Sequence, residues 1–486
     1  MFTLRTLSST VLVLLICGVV AAQHEVGGGA TSGSAADSTR VGVKVRRAPA
    51  RVTTAPRRTR PPARGMTAEQ LNQLGNTLFE ADQHDEALAA YQRAVQLKPI
   101  ASAYYHIGWI YNERDEYQLA LTALQQAIRL NPNYAMAFDE IGYSFRNLKR
   151  FDEAFLAYRR AIQIDPSYAK AYYDLGWTYN EIKQYGDAVS PLRTAITLRP
   201  NYAEAYYELG YASRRLGRYQ EAINSYRQAM SFKSDYADAY FGLGDVYFYN
   251  TSQYPEAINA YTTALRIKPE NATANYNIGW SHNELQQYQQ AIVALEKAVS
   301  LKPDYADAYA ELGYAYRKLE RFNDAMRSYN SAIRLKPDHA QPYFGLGDLY
   351  YYNLNQSENA IRAYQQGLRL KPNNATANYN IGWAYDDLGR YAEAIAPLRE
   401  AIRLKPEYAE AYQEMGYAYL NLGTYNEAVA SFREAIRIKP DYALAYYNLG
   451  ITYINMRDRN RAMEQYRVLQ RLDRARADKL LAQINR

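Results

Sequence analysis

The side chains that could do catalytic work are few and scattered. Histidines stand at 24, 84, 106, 282 and 339, without the spacing of a helical metal motif, and the one cysteine is Cys17. The stretch GGGATSG lacks the lysine and hydroxyl residue with which a glycine-rich loop holds phosphate, and GLGD at 242–245 and 345–348 reads as packing. Carboxylates are abundant, yet they read as exposed charges on helices, with no pair in an apolar setting that would shift its titration. No nucleophile, metal site or cofactor is therefore expected, and the chain reads as non-enzymatic.

Binding chemistry is better represented. The four tryptophans, Trp109, Trp177, Trp280 and Trp383, each directly follow a glycine, and Trp177, Trp280 and Trp383 are 103 residues apart. From the second to the eleventh glycine of the same series the slot otherwise holds Tyr143, Tyr211, Asp245, Tyr314, Asp348 and Tyr417, with Asn76 and Ile451 at the two ends. Three residues further on stand Asn112, Arg146, Asn180, Arg214, Phe248, Asn283, Arg317 and Tyr351, until Asp386 and Leu420 break the pattern. The decamer NATANYNIGW recurs unchanged at 271–280 and 374–383, so a block of about 103 residues has been duplicated. At roughly 100° per helical residue, with Ile381 at 0°, the packed side of that helix centres near 50° and Trp383 lies near 200°. These eighteen residues form a candidate ladder of aromatic, amide, arginine and aspartate contacts. Two readings stand side by side: a ligand surface, or packing between neighbouring helices preserved through duplication.

The elements that carry the ladder are short helix pairs. In Ala306–His339, Tyr309, Leu312, Gly313 and Tyr316 mark one helical stripe, and Phe322, Ala325, Met326, Tyr329, Ala332 and Ile333 mark a second. Asp304 is the expected N-cap of the first helix, and Pro337 closes the second. Such a hairpin cannot bury its own apolar faces and needs neighbours of its kind. Glycines at 75, 108, 142, 176, 210, 244, 279, 313, 347, 382, 416 and 450 supply them at intervals of 33 to 35 residues. An alanine follows each glycine by 12 residues, or by 13 in the two 35-residue units, and most units end in proline.

This 34-residue punctuation resembles the tetratricopeptide repeat family over residues 67–476. The resemblance implies an all-α fold, a right-handed superhelical solenoid of about twelve antiparallel helix hairpins whose first helices line a concave groove. It also implies that the ladder faces that groove. The charged clamp that some family members use for chaperone tails is not carried over, because its slots hold Tyr173 and Trp177, or Phe241 and Asp245. Asn277, Asn380 and Asn448, two residues before their glycines, resemble the asparagine ladder of the O-linked N-acetylglucosamine transferase repeats.

Flanking segments suggest where the chain works. Residues 1–22 carry Arg5, an apolar run from Val11 to Val20 and small residues before Gln23, the pattern of a secretory signal peptide ending at Ala22, with an uncleaved N-terminal anchor as the alternative. Residues 23–66 are Gly/Ser-rich, then Arg/Pro-rich, and read as a disordered tether. The tether holds nine lysines and arginines against Glu25 and Asp37, so the chain's net charge of +7 resides there. It is either a solvated spacer or a contact for an anionic surface. Thr67 and Gln70 have the spacing of a capping box, and residues 477–486 read as a capping helix over the last hairpin.

Together these features describe an exported scaffold, periplasmic, envelope-bound or secreted, that binds proteins or extended peptides in its groove. A glycan is the alternative ligand, since tryptophan and tyrosine faces beside Asn, Asp and Arg also suit sugars. Nucleic acid is not expected as a partner, nor a transmembrane segment once the signal is removed.

Overall fold

The computed structural model describes residues 65–486; the expected signal segment and all of the tether but Gly65 and Met66 lie outside them. The described residues form an all-α solenoid of twelve hairpins and a final helix. Hairpin 1 pairs Ala68–Glu80 with His84–Leu97, and hairpin 12 pairs Ala443–Asn455 with Arg459–Leu472. Within each unit the glycine lets the helices meet. A Cβ on Gly313 would stand 2.6 Å from the Tyr329 ring, and one on Gly108 would stand 2.4 Å from Leu124. The alanine twelve residues on is fully buried in the same contact, as at Ala325 and Ala120. Between the helices of the shorter units the chain turns through a left-handed residue, glycine at 217, 389 and 423 but Asp82, Asp115, Lys149, Lys183, Gln286, Glu320 or Arg457 elsewhere.

The two 35-residue units absorb their extra residue as one wide turn at the end of the first helix. Ala237–Asp245 continues into the π-helical turn Val246–Asn250, and Ala340–Asp348 into Leu349–Asn353. The left-handed residue accordingly falls one position later, at Ser252 and Asn355.

Both ends of the array differ from its interior. Thr67 and Gln70 complete a reciprocal capping box at the first helix. Asp304 does not cap Ala306–Lys318: the cap position is Tyr305, whose hydroxyl is too far from the backbone to cap and whose ring packs on Tyr276 at 5.0 Å. The final helix, Arg474–Ile484, starts three residues earlier than expected, where the Asp473 side chain accepts from the Arg476 amide. Its Leu480 lies against Gly450 of hairpin 12, and Ala477, Leu480 and Ile484 are buried there.

Candidate functional site

None of the eighteen ladder residues is fully exposed; nine are buried and nine half-buried. The reason is a lateral lock between successive first helices. Each tryptophan meets the residue four places after the preceding unit's glycine. Trp109 meets Phe79 at 4.7 Å, Trp280 meets Phe248 at 4.9 Å and Trp383 meets Tyr351 at 5.3 Å. At Trp177 the partner is Arg146, whose guanidinium lies 3.4 Å from the ring centroid. The tyrosines of the slot lean instead on the first residue of the preceding second helix. Tyr143 meets Tyr117 at 6.4 Å, Tyr211 meets Tyr185 at 5.9 Å, Tyr314 meets Tyr288 at 6.1 Å and Tyr417 meets Tyr391 at 6.0 Å.

The aspartates of the slot serve as counter-ions. Asp245 pairs with Arg214 at 2.7 Å and Asp348 with Arg317 at 3.3 Å. Tyr261 and Tyr364 donate their hydroxyls to the other oxygens of these carboxylates, at 2.7 and 2.8 Å. Asn277 and Asn380 donate to those same tyrosine hydroxyls at 2.9 and 3.0 Å, and accept from Tyr249 and Tyr352 at 3.2 and 2.8 Å. Asn277 and Asn380, which sequence suggested as a ladder for ligand, are therefore spent inside two copies of one polar network. Burial pulls the Arg214 guanidinium down, but the Asp245 charge outweighs it and holds the group above its ordinary range.

The side-chain amides of the ladder asparagines are also turned to protein partners. Asn112 donates to the Glu140 backbone carbonyl at 3.1 Å and to its carboxylate at 2.9 Å. Asn180 repeats this with Glu208 at 3.0 and 2.9 Å, and Asn283 with Glu311 at 3.2 and 2.9 Å. Burial pushes the Glu311 carboxyl up to about 7, although the Asn283 donor pulls the other way.

The expectation that carboxylates are merely exposed helix charges is overturned here. Asp139, Glu140 and Asp174 are all buried around the Lys170 ammonium, which bonds to Asp139 and lies 2.7 Å from Asp174. Burial pushes Asp139 up to about 7, against the pull of Lys170. Asp139 sits three residues before Gly142, where Tyr105, Tyr173 and Tyr207 stand in other units, and that substitution is the signal the sequence carried.

What remains for a ligand is the outer part of the tryptophans and the rings beside them. Tyr249 and Tyr352 are 46% and 48% exposed, because the wide π turns carry them clear of the helix below. Among the described residues no cluster of His, Cys, Asp and Glu is arranged to hold a metal ion, and no helix is long and apolar enough to cross a membrane.

Comparison with known proteins agrees with this architecture. A family model described as TPR repeat matches residues 142–183, 210–250, 248–283, 281–320, 313–353 and 416–456. Models described as tetratricopeptide repeat match 72–135, 344–409, 192–224, 169–202 and 443–476. Solved structures that resemble the chain include MamA, 32% identical over 34% of this chain and 97% of MamA, with a TM-score of 0.33. YrrB, described as having an unusual peptide-binding site, is 24% identical over 39% of this chain and 97% of its own, with a TM-score of 0.36. Yeast Tom70 is 15% identical over 81% of this chain and 97% of its own, with a TM-score of 0.34. No curated protein matches the chain.

Proposed function

The chain belongs to the tetratricopeptide repeat family, and we propose that it is a non-catalytic scaffold that holds an extended segment of another protein along its first helices. The observation that carries this reading is the state of the tryptophans. All four indoles are half-buried rather than buried, and Trp280 and Trp383 stand beside the exposed Tyr249 and Tyr352. The indole is the largest aromatic ring in the slot and its uncovered part offers a partner an apolar face. The 103-residue period supplies equivalent faces along one array, and linked weak sites raise avidity by as much as about 10²–10⁴. The signal-like residues 1–22 support an exported location, tested by sequencing the mature N-terminus.

The test of binding is peptide selection on the immobilised full chain, followed by the triple variant Trp177→Leu, Trp280→Leu, Trp383→Leu. The selected peptides should lose most of their affinity while circular dichroism is retained. Undiminished binding by a folded triple variant would refute the reading.

A further inference from the structure

We propose that the seams at Trp280 and Trp383 are receptors for cationic side chains, lysine or arginine, of the bound segment; this rests on the scaffold reading and names its partner's chemistry. In each seam a corner of aromatic rings stands beside a carboxylate. Trp280 meets Phe248 at 76° and Tyr276 at 41°, with centroids 4.9 and 6.2 Å away, and Phe248 meets Tyr249 at 87°. Trp383 meets Tyr351 at 65°, Tyr352 at 71° and Tyr379 at 43°, with centroids 5.3, 6.2 and 5.7 Å away. Phe248 and Tyr351 are buried, so the rings within a ligand's reach are the half-buried indole and the exposed Tyr249 or Tyr352, and an aromatic face attracts a cation. One helical turn beyond each indole stands an exposed acid, Glu284 or Asp387. The Trp280 Nε1–H donates to Glu284 at 3.2 Å, and Tyr351 donates to Asp387 at 2.6 Å, so both carboxylates are held at the corner.

A third seam of the same protein shows what this arrangement binds. At Trp177 the equivalent acid is Glu181, and the equivalent of Phe248 and Tyr351 is Arg146. That guanidinium lies 3.4 Å from the indole centroid and 3.8 Å from Glu181, while the Lys149 ammonium reaches Glu181 at 2.5 Å. An indole with an acid at the fourth following residue thus already holds two cations where the chain supplies them. In the other two seams the buried Phe248 and Tyr351 take the arginine's place against the indole, so a partner's cation meets the indole on its outer side, next to the acid. The two sites are 103 residues apart and built on the same plan, so the fitting partner is a segment with repeated basic residues.

The probe is a 12-residue Gly/Ser peptide with three lysines, compared with Nε-acetyl-lysine, Nε-trimethyl-lysine and glutamate versions on the full chain. All four tryptophans of the protein occupy this slot, so intrinsic emission reports the seams directly. The lysine and trimethyl-lysine peptides should shift the emission and bind about five- to thirtyfold more tightly than the acetylated one, the glutamate peptide weakest. Glu284→Gln with Asp387→Asn should remove most of that preference, and Trp280→Leu should remove part of the emission change. Equal affinity for lysine and acetyl-lysine peptides, or a preference unchanged in the double acid variant, would overturn the cation assignment. If peptides selected on the scaffold still need the tryptophans in that event, the scaffold reading survives its loss.

Discussion

The repeated Arg–Asp lock provides a test with its own internal control. Asp245 and Arg214 are 11% and 19% exposed in their side chains and 2.7 Å apart, whereas Asp348 is 33% exposed and 3.3 Å from Arg317. Asp245→Asn keeps the volume and an acceptor for the Tyr261 hydroxyl but strands the guanidinium. Breaking a buried pair from one side costs about 3–5 kcal/mol, and an exposed pair is worth about 0–1 kcal/mol. With its residual exposure the Asp245 pair belongs at the lower end of the first range, about 3 kcal/mol, and the Asp348 pair between the two, at about 1–2 kcal/mol. At 1.4 kcal/mol per factor of ten, opening of Ala203–Arg215 and Tyr254–Ile267 should rise about a hundredfold in Asp245→Asn. The corresponding helices around Asp348 should open about tenfold more readily in Asp348→Asn. Hydrogen exchange with peptide resolution reads both, since a repeat array opens locally. Arg214→Met added to Asp245→Asn should recover part of the loss by removing the stranded charge. Equal effects at the two sites, or no recovery in the double variant, would show that these pairs do not lock the hairpins.

Three further outcomes follow from the packing. Gly313→Ala drives a methyl into Tyr329, itself 2% exposed, and should cost about 1–3 kcal/mol by local exchange, whereas Gly186→Ala, with nothing within 4 Å, should be neutral or stabilising. The raised titration of Glu311 means that the folded state keeps a proton the unfolded chain has released, so its contribution is full below about pH 4.5 and lost as pH rises toward 7. Glu311→Gln should flatten that part of the thermal stability profile, and a profile unchanged from wild type would contradict the assignment. Deleting residues 477–486 uncovers Gly450 and should speed exchange across Ala443–Asn455, and unaltered exchange there would deny the final helix its covering role.

The hairpin array was legible because its signals recur: glycine where two helices touch, alanine twelve residues on, proline beyond the second helix. A single Gly313 says little, but the series from Gly75 to Gly450 allows only a stack. The helical angle of Trp383 sets it roughly opposite the Gly382 side of its helix, yet no angle within one helix shows that Tyr351 of the preceding unit comes to cover it. For the same reason Asn112, Asn180 and Asn283 looked like open contacts, although each donates its side-chain amide to a glutamate 28 residues later. Asp139 reads as an ordinary surface acid until Lys170, 31 residues on, is folded against it. Periodicity places a residue on a face; which neighbour closes that face depends on how one hairpin leans on the next. The two 35-residue spacings hinted at a local irregularity, but only the fold shows that it is a π turn that lifts Tyr249 and Tyr352 outward.

The most direct measurement is hydrogen exchange on the full chain with and without a peptide selected for binding. A segment lying across the tryptophan faces should slow exchange in the first helices Ala272–Glu284 and Ala375–Asp387, leaving the second helices Tyr288–Leu301 and Tyr391–Leu404 nearly unchanged. Protection centred on the second helices, or none across residues 65–486, would contradict binding along the first-helix face.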